Sequence, residues 1–149
     1  FLPEVEKDRY IRKISDVLSY FIDSGYTEIA FLPHEDSSDF SDVDFIREIV
    51  DETHPAHLQN LKILPHSDDS EKMLSYYQRA TAVITGRFHG VIFSMLAQTA
   101  FVAISHLPKV ERILNDFGLS KNCLSPNQFV DMKTADIFLK ITKITPITF

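Results

Sequence analysis

The sequence predicts an α/β domain built on a Rossmann-like parallel sheet with helices on both faces. Three observations carry this reading. Short apolar runs alternate with stretches whose apolar residues recur at helical spacing. Glycine or proline often stands where one pattern gives way to the next. The hydrophobic fraction of 44% in 149 residues is enough for a packed core.

The elements follow in order. Ile11, Ile14, Val17, Leu18, Phe21 and Ile22 mark a first helix, which Gly25 stops. Glu28–Leu32 is a short buried strand. Ser41 is placed to cap a helix through Val43, Phe45, Ile46, Ile49 and Val50, and Leu61–Leu64 is the second strand. Asp68 with Glu71 three residues on predicts a capping box for a helix to about Ala80. Ala82–Thr85 is the third strand, followed by a helix through Val91, Phe93, Met95 and Leu96. Phe101–Ile104 is the fourth strand. Pro108 starts a helix that stops at Gly118, Cys123-Leu124 is a short last strand, and a C-terminal helix carries Ile137, Phe138, Ile141 and Ile144. Because β-α-β connections are local, the strands near Ile29, Ile63, Ile84 and Val102 are expected to lie parallel and adjacent in one sheet. The pattern opens on a helix, so a further strand is expected upstream of Phe1 and the chain reads as an excerpt of a longer protein.

Composition narrows the function. The formal net charge is -6 with interspersed signs, which disfavours a general nucleic-acid binder but not a site for a small anion. The single cysteine, Cys123, excludes an internal disulfide and suits a reducing, cytoplasmic setting, with a disulfide-free secreted domain as the alternative. No apolar run reaches the roughly 18 residues of a membrane span. No P-loop, dinucleotide fingerprint or nucleophile elbow is present, and no histidine and carboxylate set has metal-ligand spacing.

Candidate chemistry concentrates in Thr85-Gly86-Arg87-Phe88-His89-Gly90, between the third strand and its helix. A helix N-terminus offers unpaired N–H groups and partial positive charge to an anion. Arg87 adds a planar two-bond fork, and His89 adds a donor that moves a proton near neutral pH. Gly86 and Gly90 would let a ligand approach the backbone. The plainer alternative is a structural turn, with Arg87 in an ion pair and His89 bonded to a carbonyl. An echo, Leu32-Pro33-His34 and Leu64-Pro65-His66, places His34 and His66 past two strand ends, the rim where such sheets bind ligands. Exposed or backbone-bonded loop histidines are the alternative there. Lys109 opens a helix after Ser105-His106-Leu107-Pro108. A cation is unfavourable at that end, and a bound anion would offset the mismatch; a solvated lysine is the alternative.

Ala82–Phe93, with its Arg87-Phe88-His89 core, resembles the R-[LF]-H region of polysaccharide pyruvyl transferases. The likeness runs on through Val102–Ser105, Pro108-Lys109-Val110 and Phe117-Gly118-Leu119, and covers Leu61–Leu119 best. It implies the C-terminal lobe, residues 1–149, of a two-lobed enzyme similar to GT-B glycosyltransferases, with the N-terminal lobe absent from this chain. It implies transfer of the pyruvyl group of phosphoenolpyruvate to sugar hydroxyls of a cell-surface polysaccharide or its precursor, as a pyruvate ketal. Arg87 and His89 would take the phosphoenolpyruvate-binding and catalytic positions, with Lys109 matching the lysine of an Asp-Pro-Lys stretch. His106 and Leu107 stand where an aromatic and an acidic residue are more usual. The implied partners are phosphoenolpyruvate and a sugar or lipid-linked glycan acceptor, with no cofactor and no metal. A GT-B-type lobe for a nucleotide sugar, or a non-catalytic anion- or sugar-binding domain, are the competing readings.

Overall fold

A computed structural model describes residues 6–34 and 42–144. By its contacts the chain divides into two compact units. One runs to His66 and includes Met132–Phe138; the other is Ser67–Asp131 with the segment from Leu139 onward.

The first unit opens with α1 (Lys7–Asp23), followed by β1 (Ile29–Phe31), α2 (Asp42–Glu52) and β2 (Leu61–Ile63). Ile11, Leu18 and Ile49 form its buried cluster, with Ile14, Ile29, Phe31 and Phe45 packed against it. Gly25 ends α1 at a φ of 106°, a conformation that glycine adopts without strain. A 3-10 turn at Pro55–Asn60, for which the sequence pattern gives no signal, leads into β2; its cap His54 accepts from the Ala56 amide. Strands β1 and β2 pair in parallel, with Ile29 opposite Leu61 and Phe31 opposite Ile63.

The second unit holds α3 (Ser70–Arg79), β3 (Val83–Thr85), α4 (Phe88–Leu96), β4 (Phe101–Ile104), α5 (Pro108–Asp116), β5 (Cys123–Leu124) and α6 (Pro126–Asp131). All its strand pairs are parallel, in the order β3-β4-β5. Strand β4 is buried along its whole length, as a strand covered on both faces must be. Val91 and Met95 of α4 and Val110 and Leu114 of α5 pack with Phe101 and Ala103. Beneath α4, Ser94 returns its hydroxyl to the Gly90 carbonyl at 2.7 Å, and the buried Asn122 amide donates to the Phe101 carbonyl at 3.1 Å. Tyr77 of α3 stacks on Phe93, and burial pushes its phenol pKa far up.

Two expectations change. Among the described residues the strands pair in parallel within two ladders, β1-β2 and β3-β4-β5, rather than in the single sheet expected. Within each unit the local connection rule holds, across α2 and across α4. The cap of α3 is Asp69, not Asp68: the Asp69 carboxylate accepts from the Glu71 and Lys72 amides. The expected C-terminal helix is α7 (Thr134–Lys143), and a short helix not expected from the spacing, α6, precedes it, with Ser125 and Gln128 bonded reciprocally at its start. The proposed cap Ser41 lies outside the described residues.

Candidate active site

The β3–α4 turn is built by Thr85. Its hydroxyl accepts from the Arg87 amide at 3.1 Å, a local side-chain turn that ends the strand and sets Arg87 at the N-cap of α4. Arg87 has extended backbone angles and its side chain makes no cap bond, so the first-turn amides of α4 are left to another acceptor. The exposed Arg87 and His89 side chains stand at this positive helix end.

Both glycines of the turn pack closely against protein. A Cβ on Gly90 would lie 2.1 Å from Thr85 Oγ1, and one on Gly86 would lie 3.1 Å from the Ile104 carbonyl oxygen. Gly86 therefore sits against the end of β4, and Gly90 lets α4 close on Thr85. The clash with Thr85 accounts for glycine at position 90, whereas the contact at Gly86 is close but milder.

Lys109 is brought to the same turn. Its ammonium lies over the Phe88 ring, 5.0 Å from the centroid, and the Phe88 and His89 rings are 6.1 Å apart in an edge-on arrangement. The second turn of this rim is set by Ser105, whose hydroxyl accepts from the Leu107 amide and whose own amide donates to Leu124. Pro108 then starts α5 with Leu107 as N-cap, which carries no capping side chain. Thr85 and Phe88 are the residues that the reading by spacing passed over. The hydroxyl two residues before Arg87 was a usable signal for the first; the second stands at the middle position of the R-[LF]-H motif, but nothing in the spacing signals its contact with Lys109.

His34 and His66 come together at the ends of β1 and β2 in the first unit. His66 Nδ1 lies 3.1 Å from the Pro33 carbonyl oxygen, and the His34 amide donates to Asp42 at 2.8 Å. Leu64 pairs with Phe31 just below them. The echoed Leu-Pro-His segments are thus neighbours, with His66 bonded to backbone.

Among the described residues, no group of three or more His, Cys, Asp or Glu is arranged to hold a metal ion. None of the described helices is long and apolar enough to cross a membrane. Beside β5, a groove of about 330 Å³ is lined by Ser105, Glu111, Asn115, Cys123 and Gln128 among others. Burial and the neighbouring Glu111 carboxylate raise the pKa of the Cys123 thiol there.

No curated protein and no solved structure matches the chain. A family model described as polysaccharide pyruvyl transferase matches residues 2–108, ending one residue short of Lys109. That match covers most of the chain, including the β3–α4 turn and both Leu-Pro-His segments, and the chain belongs to the polysaccharide pyruvyl transferase family.

Proposed function

We propose that this chain is the C-terminal lobe of an enzyme that transfers the pyruvyl group of phosphoenolpyruvate onto sugar hydroxyls of a cell-surface polysaccharide or its precursor. The observation that carries the reading is the uncapped N-terminus of α4, flanked by Arg87, His89 and Lys109, in a member of this family.

The chemistry suits these groups. Phosphoenolpyruvate carries a phosphate and a carboxylate, and the first-turn amides of α4 with Arg87 form an anion cradle for one of them. Lys109 offers charge to the other. Protonation of the methylene carbon makes the central carbon electrophilic, and a sugar hydroxyl adds there. The C–O bond to phosphate breaks, inorganic phosphate leaves, and a second hydroxyl of the same sugar closes the ketal. The net proton count is even: one proton is gained by the methyl group, and the hydroxyl protons pass to phosphate and the acid. His89 is our candidate acid. No redox cofactor is needed, and none is proposed.

The acceptor, a sugar or lipid-linked glycan, would be shared with a second lobe, so residues 1–149 alone are expected to release no phosphate. A single cysteine fits work in the cytoplasm. Calorimetric titration of the intact enzyme with phosphoenolpyruvate and with nucleotide sugars tests the reading. Binding of phosphoenolpyruvate, and phosphate release that needs a glycan acceptor, are expected. Binding of a nucleotide sugar instead would assign the lobe to a glycosyltransferase.

A further inference from the structure

The contact between Lys109 and Phe88 has a consequence for how the turn keeps its charge. Lys109 is exposed on a flexible stem and sits in the first turn of α5, where the helix dipole disfavours a cation. Among the described residues no carboxylate lies within ion-pair distance of it, although Glu111 stands two residues on. Its ammonium rests on the face of the Phe88 ring. An aromatic face attracts a cation through its quadrupole and leaves the charge in place, whereas a carboxylate would cancel it. Phe88 is itself held: it packs against the buried cluster of Val91, Met95, Phe101 and Val110.

We infer that Phe88 is a positioning residue, which holds the Lys109 ammonium at the β3–α4 turn with its charge in place, ready for a substrate that carries two anionic groups. This rests on the proposed phosphoenolpyruvate site. Phe88 touches no reacting atom; it acts through Lys109.

A double-mutant cycle on the intact enzyme tests it, reading calorimetric phosphoenolpyruvate affinity and steady-state KM and kcat. An exposed cation–π contact corresponds to an effect of about two- to fivefold. Phe88→Leu should weaken affinity by that factor, through KM more than kcat. Lys109→Met should weaken it by about tenfold, the loss of one charge-assisted contact. In the Lys109→Met background, Phe88→Leu should add nothing, and Phe88→Tyr, which keeps the ring face, should retain wild-type affinity. An equal Phe88→Leu effect in both backgrounds would overturn the inference and leave Phe88 as packing alone, as would a Phe88→Tyr defect as large as that of Phe88→Leu. Arg87→Ala serves as the separate control: wild-type phosphoenolpyruvate affinity in that variant would overturn the site reading itself.

Discussion

The Thr85 hydroxyl occupies the space that any side chain at Gly90 would need. A Cβ there would come within 2.1 Å of Thr85 Oγ1 and 2.9 Å of Thr85 Cβ. The same hydroxyl accepts from the Arg87 amide, so the fit between α4 and β3 and the placement of Arg87 rest on one atom.

Gly90→Ala should therefore destabilise the protein by about 1–3 kcal/mol, the usual range for overpacking a tight site. Chemical denaturation measures this. A midpoint equal to that of the wild type would show that the turn relaxes freely.

On the proposed reading, Arg87→Ala should weaken phosphoenolpyruvate binding by about one to two orders of magnitude, since a charge-assisted bond is worth about 1.5–3 kcal/mol. Arg87→Lys should recover part of this, keeping the charge without the planar fork. His89→Ala should cost turnover about 10²–10⁴-fold if His89 is the acid. A loss confined to affinity would assign it to phosphate binding instead. Both side chains are exposed, so melting temperatures should hold close to wild type.

Asp69→Ala should cost about 0.5–2 kcal/mol through the loss of the α3 cap, and more than Asp68→Ala. The two unfolding midpoints compared side by side decide which aspartate caps the helix.

Cys123 should alkylate slowly. Burial and then the Glu111 charge raise its pKa, so less thiolate is present at any pH below that value. The iodoacetamide rate should rise on unfolding in urea, and should rise in folded Glu111→Gln. An unchanged rate in Glu111→Gln would show that burial alone sets the thiol.

On the proposed reading, the intact enzyme is expected to run without a divalent ion, since Arg87, His89 and Lys109 would supply the positive charge. Activity abolished by a chelator and restored by a metal would refute this.

Much of the fold was legible because its signals are local. The apolar spacing from Ile11 to Ile22 and the run Phe101–Ile104 each encode one element, and each appears where expected. What spacing leaves open is which elements adjoin. The strands at Ile63 and Ile84 carry the same apolar signal whether or not they pair, so the division into two sheets has no trace in either segment. The β3–α4 turn was readable for a related reason: strand, arginine, histidine and helix are contiguous. Lys109 meets Phe88 across 21 positions of chain, and no periodicity reports such a contact. Asn122 illustrates the same limit. Its amide is buried to bond Phe101, yet the residue reads as an ordinary loop polar group.

Strand β4 is flanked by β3 and β5 and sealed on both faces, so its backbone amides should be among the slowest in the second unit to exchange with deuterium. Gly86 lies against the carbonyl of Ile104 at the end of that strand. The Arg87 turn is thus moored to the segment that opens last. Fraying at the periphery of the unit would leave the turn's shape intact, and a ligand arriving there would meet donors already fixed, with little ordering entropy left to lose.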